Sequence, residues 1–306
     1  MKIVVAGGTG FLGTALVDAL VEDRHEVVVL TRHPAADAAD PRRRFVPWTP
    51  NGESGEWARE IEGAAVVVNL AGESIAGRRW TPAQKAQILD SRVKATSSLA
   101  TAIRSAGSAP VLFVSASAVG YYGPLGDEVA TEETPPGVDF LASACVQWEA
   151  EAAKAASPRT RLAIIRTGLV LERNGGALRQ MLPPFWFGAG GPVGTGRQYW
   201  PWIHRRDWVD LVRWTMRTAE VSGPINATAP NPVTNLEFAR TLGRVLRRPA
   251  FMPAPVFALR LVLGEMADAL LLSGQRAVPR KAEALGFVFQ YQTLERALRA
   301  IFGRKR

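Results

Sequence analysis

The chain has 306 residues, 47% of them hydrophobic, and a formal net charge of +9. This suits one large α/β domain, alone or with a smaller lobe, and the single cysteine, Cys145, excludes an internal disulfide and agrees with a reducing cytosol. The basic residues are scattered, with small clusters such as Arg42–Arg44, Arg205–Arg206 and the final Gly303–Arg306, without a nucleic-acid reader motif. An anionic cofactor and an arginine-rich surface therefore account for the charge, and neither a specific nucleic acid nor a membrane partner is expected.

Lys2–Ala6 (KIVVA) reads as an apolar strand, so no targeting signal and a cytoplasmic location are expected. The turn Gly7-Gly8-Thr9-Gly10-Phe11-Leu12-Gly13 follows, then a helix with Leu16, Ala19 and Leu20 on one face, then a second strand, Glu26–Leu30. Strand, glycine turn, helix and strand make a right-handed βαβ unit whose turn brings backbone close to a pyrophosphate. Gly7, Gly10, Phe11, Leu12 and Gly13 are its candidate cofactor contacts. An NAD site places an acid at the end of the second strand. Here Thr31-Arg32 stands there, and the nearest acids are Asp37 and Asp40. Arginine suits a 2′-phosphate through a charge-assisted bond of roughly 1.5–3 kcal/mol, which selects NADP(H).

A third strand is expected at Phe45–Trp48 and a central one at Ala64–Leu70 (AAVVVNL), delivering Asn69-Leu70-Ala71-Gly72-Glu73 at its C-terminal end, where ligands of open α/β sheets bind. Thr81-Pro82 opens a long helix to Gly107 that carries Gln87 and Arg92. Val111–Ser115 is the next strand and runs into Ala116-Ser117-Ala118-Val119-Gly120-Tyr121-Tyr122-Gly123, with Ser115 placed beside the cofactor.

These motifs, together with RTGLVLERNGGAL, MLPPF, GGPVGTGRQYWPWIH, NPVTNLEF and GQRAVP, span nearly the whole chain. As a set the sequence resembles the atypical extended short-chain dehydrogenases/reductases, the epimerase-family proteins of the YfcH-like type. The resemblance implies a Rossmann domain binding NADP(H), a small C-terminal lobe and no well-established substrate. It assigns cofactor contacts to Thr31, Arg32, Leu70, Ala71, Gln87, Arg92 and Val170, and Gly72 belongs to the same turn.

Short-chain dehydrogenases pair a tyrosine with a lysine four residues on, so that the phenol can pass a proton while hydride moves. The corresponding helix here, Phe140–Glu149, offers Leu141 and Cys145, or Phe140 and Ala144 one register away. Four residues beyond the four tyrosines stand Leu125, Gly126, Ile203 and Glu295. The usual acid–base pair is absent, which leaves Ser117, Tyr121 and Tyr122 as catalytic candidates; no metal site is expected. Cys145 reads as a small buried helix residue.

Arg161–Arg166 is a sixth strand, ending in Thr167-Gly168-Leu169-Val170. The aromatics Phe185, Trp186, Phe187, Tyr199, Trp200 and Trp202 suit either a cleft wall or interdomain core. Trp202-Ile203-His204-x-x-Asp207 resembles the stretch that carries an arginine and a histidine in sugar-nucleotide epimerases; the resemblance puts Trp200 at the place of that diphosphate-holding arginine, which argues against a nucleotide-sugar substrate. A last strand is expected at Pro224–Ala229, a capping box at Thr234–Glu237, and a buried or amphipathic helix across Pro255–Leu272.

The expected fold is a Rossmann-type doubly wound, mostly parallel sheet over residues 1–230, with 175–204 contributing to the cleft. A small, mainly helical lobe is expected over 231–306. Two functions fit: an NADP(H)-dependent oxidoreductase or epimerase on a small unidentified substrate, as monomer or homodimer, or a catalytically inactive NADP(H)-binding sensor or scaffold.

Overall fold

The computed structural model describes residues 1–34 and 40–303; Asp37 and most of the basic tail lie outside them. Seven strands form one parallel sheet: β1 (Lys2–Ala6), β2 (Glu26–Thr31), β3 (Arg43–Pro47), β4 (Val66–Asn69), β5 (Leu112–Ala118), β6 (Arg161–Thr167) and β7 (Gly223–Ala227). Their order across the sheet is β7-β6-β5-β4-β1-β2-β3. The order reverses between β1 and β4, and at such a point the ends of the strands open a crevice for a ligand.

The two-residue repeat of the strands explains why both faces are apolar. Ile3, Val5, Val27 and Val29 meet Leu16, Val17 and Leu20 of helix α1 (Phe11–Glu22) on one face. Val4, Ala6 and Val28 point the other way, toward Ala95, Leu99 and Ile103 of α2 (Pro82–Ser105). Burying each such side chain contributes roughly 1.5–3 kcal/mol, so a one-residue slip of β1 would expose every contact at once.

The helix starts are written into the sequence. Thr81 accepts from the Gln84 N–H at 3.1 Å, with Pro82 in the first turn of α2. Asp139 accepts from Ala142 at 2.8 Å to open α3 (Phe140–Ala153). Thr234 and Glu237 form the expected capping box at α6 (Asn235–Leu246).

Helix α4 (Gly176–Trp186) and α6 pack with the C-terminal helix Leu294–Phe302 around Trp200, Trp202 and Phe238. Phe185, Trp200 and Trp202 are thereby core residues, while Trp186 and Phe187 are exposed. Between α4 and α6 run α5 (Arg205–Arg217) and β7.

Pro255–Leu272 departs from expectation. It is not one buried helix: α7 (Val256–Leu263) buries no residue, and Gly264 at φ +62° breaks the chain. Burial resumes after the break, at Met266 and Ala267 in a short turn, Glu265–Ala267, before a π-helical segment, Asp268–Leu272. Phe257 and Leu261, on the helix before the break, are exposed. Among the described residues no helix is long and apolar enough to cross a membrane.

Candidate active site

The glycine turn is shaped by its neighbours. Gly7 has φ +77°, and a Cβ there would lie 2.7 Å from the Leu70 carbonyl. A Cβ at Gly13 would lie 2.2 Å from the Gly7 carbonyl oxygen. Both positions exclude alanine, because the loop lies against the β4 end on one side and against its own helix on the other. The first α1 residues have no side-chain cap and no acid in the first turn, with Gly10 as the N-cap. The N–H groups of Phe11, Leu12 and Gly13 thus open α1 without an i−4 partner, an arrangement that suits an anion such as a pyrophosphate. The Phe11 ring seals the outside of the loop: Gly175 and Gly176 lie so close that a Cβ on either would meet it at 2.5 and 3.0 Å.

At the end of β2, Thr31 is buried and its hydroxyl accepts from His33 N–H at 3.3 Å, while Arg32 is exposed. No carboxylate among the described residues pairs with Arg32. Asp40, one of the nearest acids, is committed to Arg42, accepting its Nη2 at 2.7 Å, which holds the carboxyl down at about 2.

The turn after β4 is built on Asn69, which is fully buried. Its Oδ1 accepts from Ala71 N–H at 3.1 Å and its Nδ2 donates to Thr96 of α2 at 2.8 Å. Leu70 and Ala71 are thereby held beside Gly7. Arg92 reaches over Gly72, where a Cβ would lie 3.2 Å from its side chain, and its guanidinium stacks on Trp148 at 5.2 Å. It donates to the Ile88 carbonyl at 3.0 Å but meets no carboxylate among the described residues, and burial lowers the guanidinium below its ordinary range. A partly buried cation of this kind is a ready partner for an anionic or polyhydroxyl ligand. Gln87 is exposed on the same helix. Ser115, buried in register with Asn69, completes the inner edge, and Val170 is buried on a short strand, Leu169–Leu171, that pairs with Trp202–His204.

Ser117 and Tyr122 belong to a buried polar network that the sequence does not announce. Ser117 donates to Glu149 Oε1 at 2.6 Å. The same carboxylate receives Arg166 Nε at 2.9 Å and Nη2 at 2.8 Å, a bidentate pair almost closed to solvent. Arg166 also donates to the Tyr122 hydroxyl at 3.1 Å, which in turn donates to Asn226 Oδ1 at 2.6 Å. Glu132 closes the chain by accepting from Asn226 N–H at 3.0 Å. Burial works against the Arg166 charge, but the hydrogen bonds and charge of Glu149 outweigh it and raise the guanidinium above its ordinary range. Burial also pushes the Tyr122 phenol up to about 12. Tyr121 differs. It is only partly buried, its ring lies on the Arg166 guanidinium at 3.4 Å, and its hydroxyl has no partner among the described residues. Cys145 donates to the Ala118 carbonyl at 3.7 Å, and burial pushes its thiol up to about 11, so it is an inert helix residue.

His204 is structural: its Nδ1 caps α5 by accepting from Arg206 N–H at 3.0 Å, and its ring stacks on Tyr291 at 3.9 Å. Burial pushes it down to about 4, so the imidazole is neutral at physiological pH.

Residues 3–227, which include the glycine turn, the sheet and the network, match the model of the NAD dependent epimerase/dehydratase family. The chain belongs to that family. Residues 254–301 match a domain of unknown function, DUF1731. Among family members, the chloroplastic SDR39U1 homolog of Arabidopsis thaliana is 43% identical over 98% of this chain and 86% of its own length. The YfhF protein of Bacillus subtilis is 40% identical over 97% of both chains. Human SDR39U1 (isoform2), crystallised with NADPH, superimposes with a TM-score of 0.90 at 37% identity, covering 98% of this chain and 99% of that one.

Within this epimerase-family framework, sequence reading missed Glu149, Arg166, Asn226 and Glu132. Arg166 carried a signal: a charge ending an otherwise apolar central strand must find a partner. Glu149 carried none, since its partners lie on other elements.

Proposed function

We propose that this epimerase-family chain is an NADP(H)-dependent oxidoreductase or epimerase acting on a small carbonyl or alcohol compound. The free hydroxyl of Tyr121, on a ring fixed by Arg166 just past the end of β5, carries this reading. Arg32 would meet a 2′-phosphate, the α1 N-terminus a pyrophosphate, and Leu70, Ala71, Gln87, Arg92 and Val170 the remainder of the dinucleotide. The NADPH of human SDR39U1 supports the choice of cofactor. The bound nicotinamide would supply or accept hydride. Tyr121 would orient the substrate oxygen and exchange its proton, while Ser117 and Tyr122 act through the network that holds Arg166 beneath the Tyr121 ring.

One observation favours a second reading, a cofactor-binding sensor without turnover. Neither Leu141 with Cys145 nor Phe140 with Ala144 could serve as the acid–base pair of short-chain dehydrogenases, and Ser117 and Tyr122 are already hydrogen-bonded inside the protein. Screening carbonyl compounds for NADPH oxidation separates the two. Turnover that falls at least about a hundredfold in Tyr121→Phe supports the enzyme. Turnover unchanged by that substitution removes Tyr121, and no turnover across the panel favours the sensor.

A further inference from the structure

At the segment Ser273–Arg276, and on Tyr199 beside it, stand polar side chains without partners among the described residues. Arg276 is partly buried and paired through its backbone with Val129; its guanidinium meets no carboxylate, makes no hydrogen bond among the described residues, and lies over the Tyr199 ring at 5.2 Å. The Gln275 amide and the Tyr199 hydroxyl, both partly buried, likewise lack hydrogen-bond partners among the described residues.

The loop that carries them is tightly built. Leu125 N–H donates to the Gly274 carbonyl at 3.3 Å, and Gln198 Nε2 donates to the Leu271 carbonyl at 2.7 Å. A Cβ on Gly274 would sit 1.9 Å from the Tyr199 carbonyl oxygen, so only glycine lets the two backbones meet. The next residue after Arg276, Ala277, is fully buried in the cluster that contains Tyr121 and Tyr122. The loop is thus clamped between the strand of Tyr199 and the turn of Tyr121.

A partly buried guanidinium that lies over an aromatic ring and meets no acid among the described residues is open to a ligand, and its planar fork matches the two oxygens of a carboxylate or phosphate. We infer that Arg276, backed by Tyr199 and Gln275, binds an oxyanion group of the substrate and presents the rest of that molecule to Tyr121. The substrate class is therefore a small organic acid or phosphate ester carrying a carbonyl or carbinol. This rests on the reading of Tyr121 as the group that meets substrate.

The test uses the full chain saturated with NADP+, titrated with benzoate, phenyl phosphate and neutral benzamide by calorimetry. Benzoate or phenyl phosphate should bind at least about tenfold more tightly than benzamide, and Arg276→Gln should abolish that preference. NADPH affinity should be unchanged in the variant. Arg276→Lys, which keeps the charge but loses the fork, should retain part of the preference. Equal binding of acid and amide, no binding of either anion, or a preference that survives Arg276→Gln overturns the proposal. Failure of NADPH to bind the wild-type chain would instead overturn the cofactor reading, and the anion titration of the unloaded chain then still judges Arg276 alone.

Discussion

The Arg166 guanidinium lies 3.4 Å from the centre of the Tyr121 ring while its other side is held by both oxygens of Glu149. One buried ion pair therefore sets the orientation of Tyr121, the tyrosine of the two whose hydroxyl has no partner among the described residues. The charge is satisfied inside the protein, and the Tyr121 ring covers the guanidinium.

Breaking that pair should be costly. Glu149→Gln leaves the Arg166 charge buried without its counter-ion and is expected to destabilise the chain by about 3–5 kcal/mol, read by urea denaturation. The double variant Glu149→Leu/Arg166→Met should recover part of the loss. A single variant as stable as wild type would contradict the network.

The two adjacent tyrosines should respond oppositely to loss of their hydroxyls. Tyr122→Phe removes a group bonded to Arg166 and Asn226 and should cost about 1–3 kcal/mol of stability. Tyr121→Phe should change stability by less than about 0.5 kcal/mol and act on turnover instead. Thermal melts of both variants, run side by side, decide the point.

Gly13→Ala places a Cβ against the Gly7 carbonyl and should distort the loop. Loss of NADPH binding by at least about tenfold is expected, with Gly107→Ala as the control, since a Cβ there would meet only the Glu62 carboxylate at 3.4 Å, an ordinary contact. Undiminished binding in Gly13→Ala would show that the loop does not hold the cofactor.

Acid should weaken the fold through His204. Its folded value, pushed down by burial to about 4, lies below the ordinary 6.5, so the unfolded chain binds the proton more readily. The stability it contributes is complete above about pH 6.5 and is lost as pH falls toward about 4, by on the order of 3 kcal/mol. His204→Asn retains a cap for α5 and should flatten the pH dependence over this window. A wild-type and variant difference independent of pH would refute the assignment.

What the sequence revealed was local. The glycine turn, the Thr81-Pro82 start of α2 and the Thr234–Glu237 box are each decided within a few residues, and all stand where the residues place them. The seven-stranded parallel sheet followed from apolar runs separated by helices. The Glu149–Arg166 pair was invisible because its partners are 17 residues apart on a helix and a strand whose facing sides no periodicity specifies. The aromatic run Phe185–Trp202 had two readings for the same reason, and packing divided it. Pro255–Leu272 misled because apolar content alone does not say which side of Gly264 is covered.

The central claim is an NADP(H) site selected by Arg32, and titration of the nine tryptophans' fluorescence with NADPH and NADH tests it most directly. The expected result is tighter binding of NADPH by about tenfold or more, about 1.4 kcal/mol, lost in Arg32→Ala. Equal affinity for the two cofactors, or a preference that survives Arg32→Ala, would contradict the role of Arg32. Binding of neither would remove the cofactor site itself.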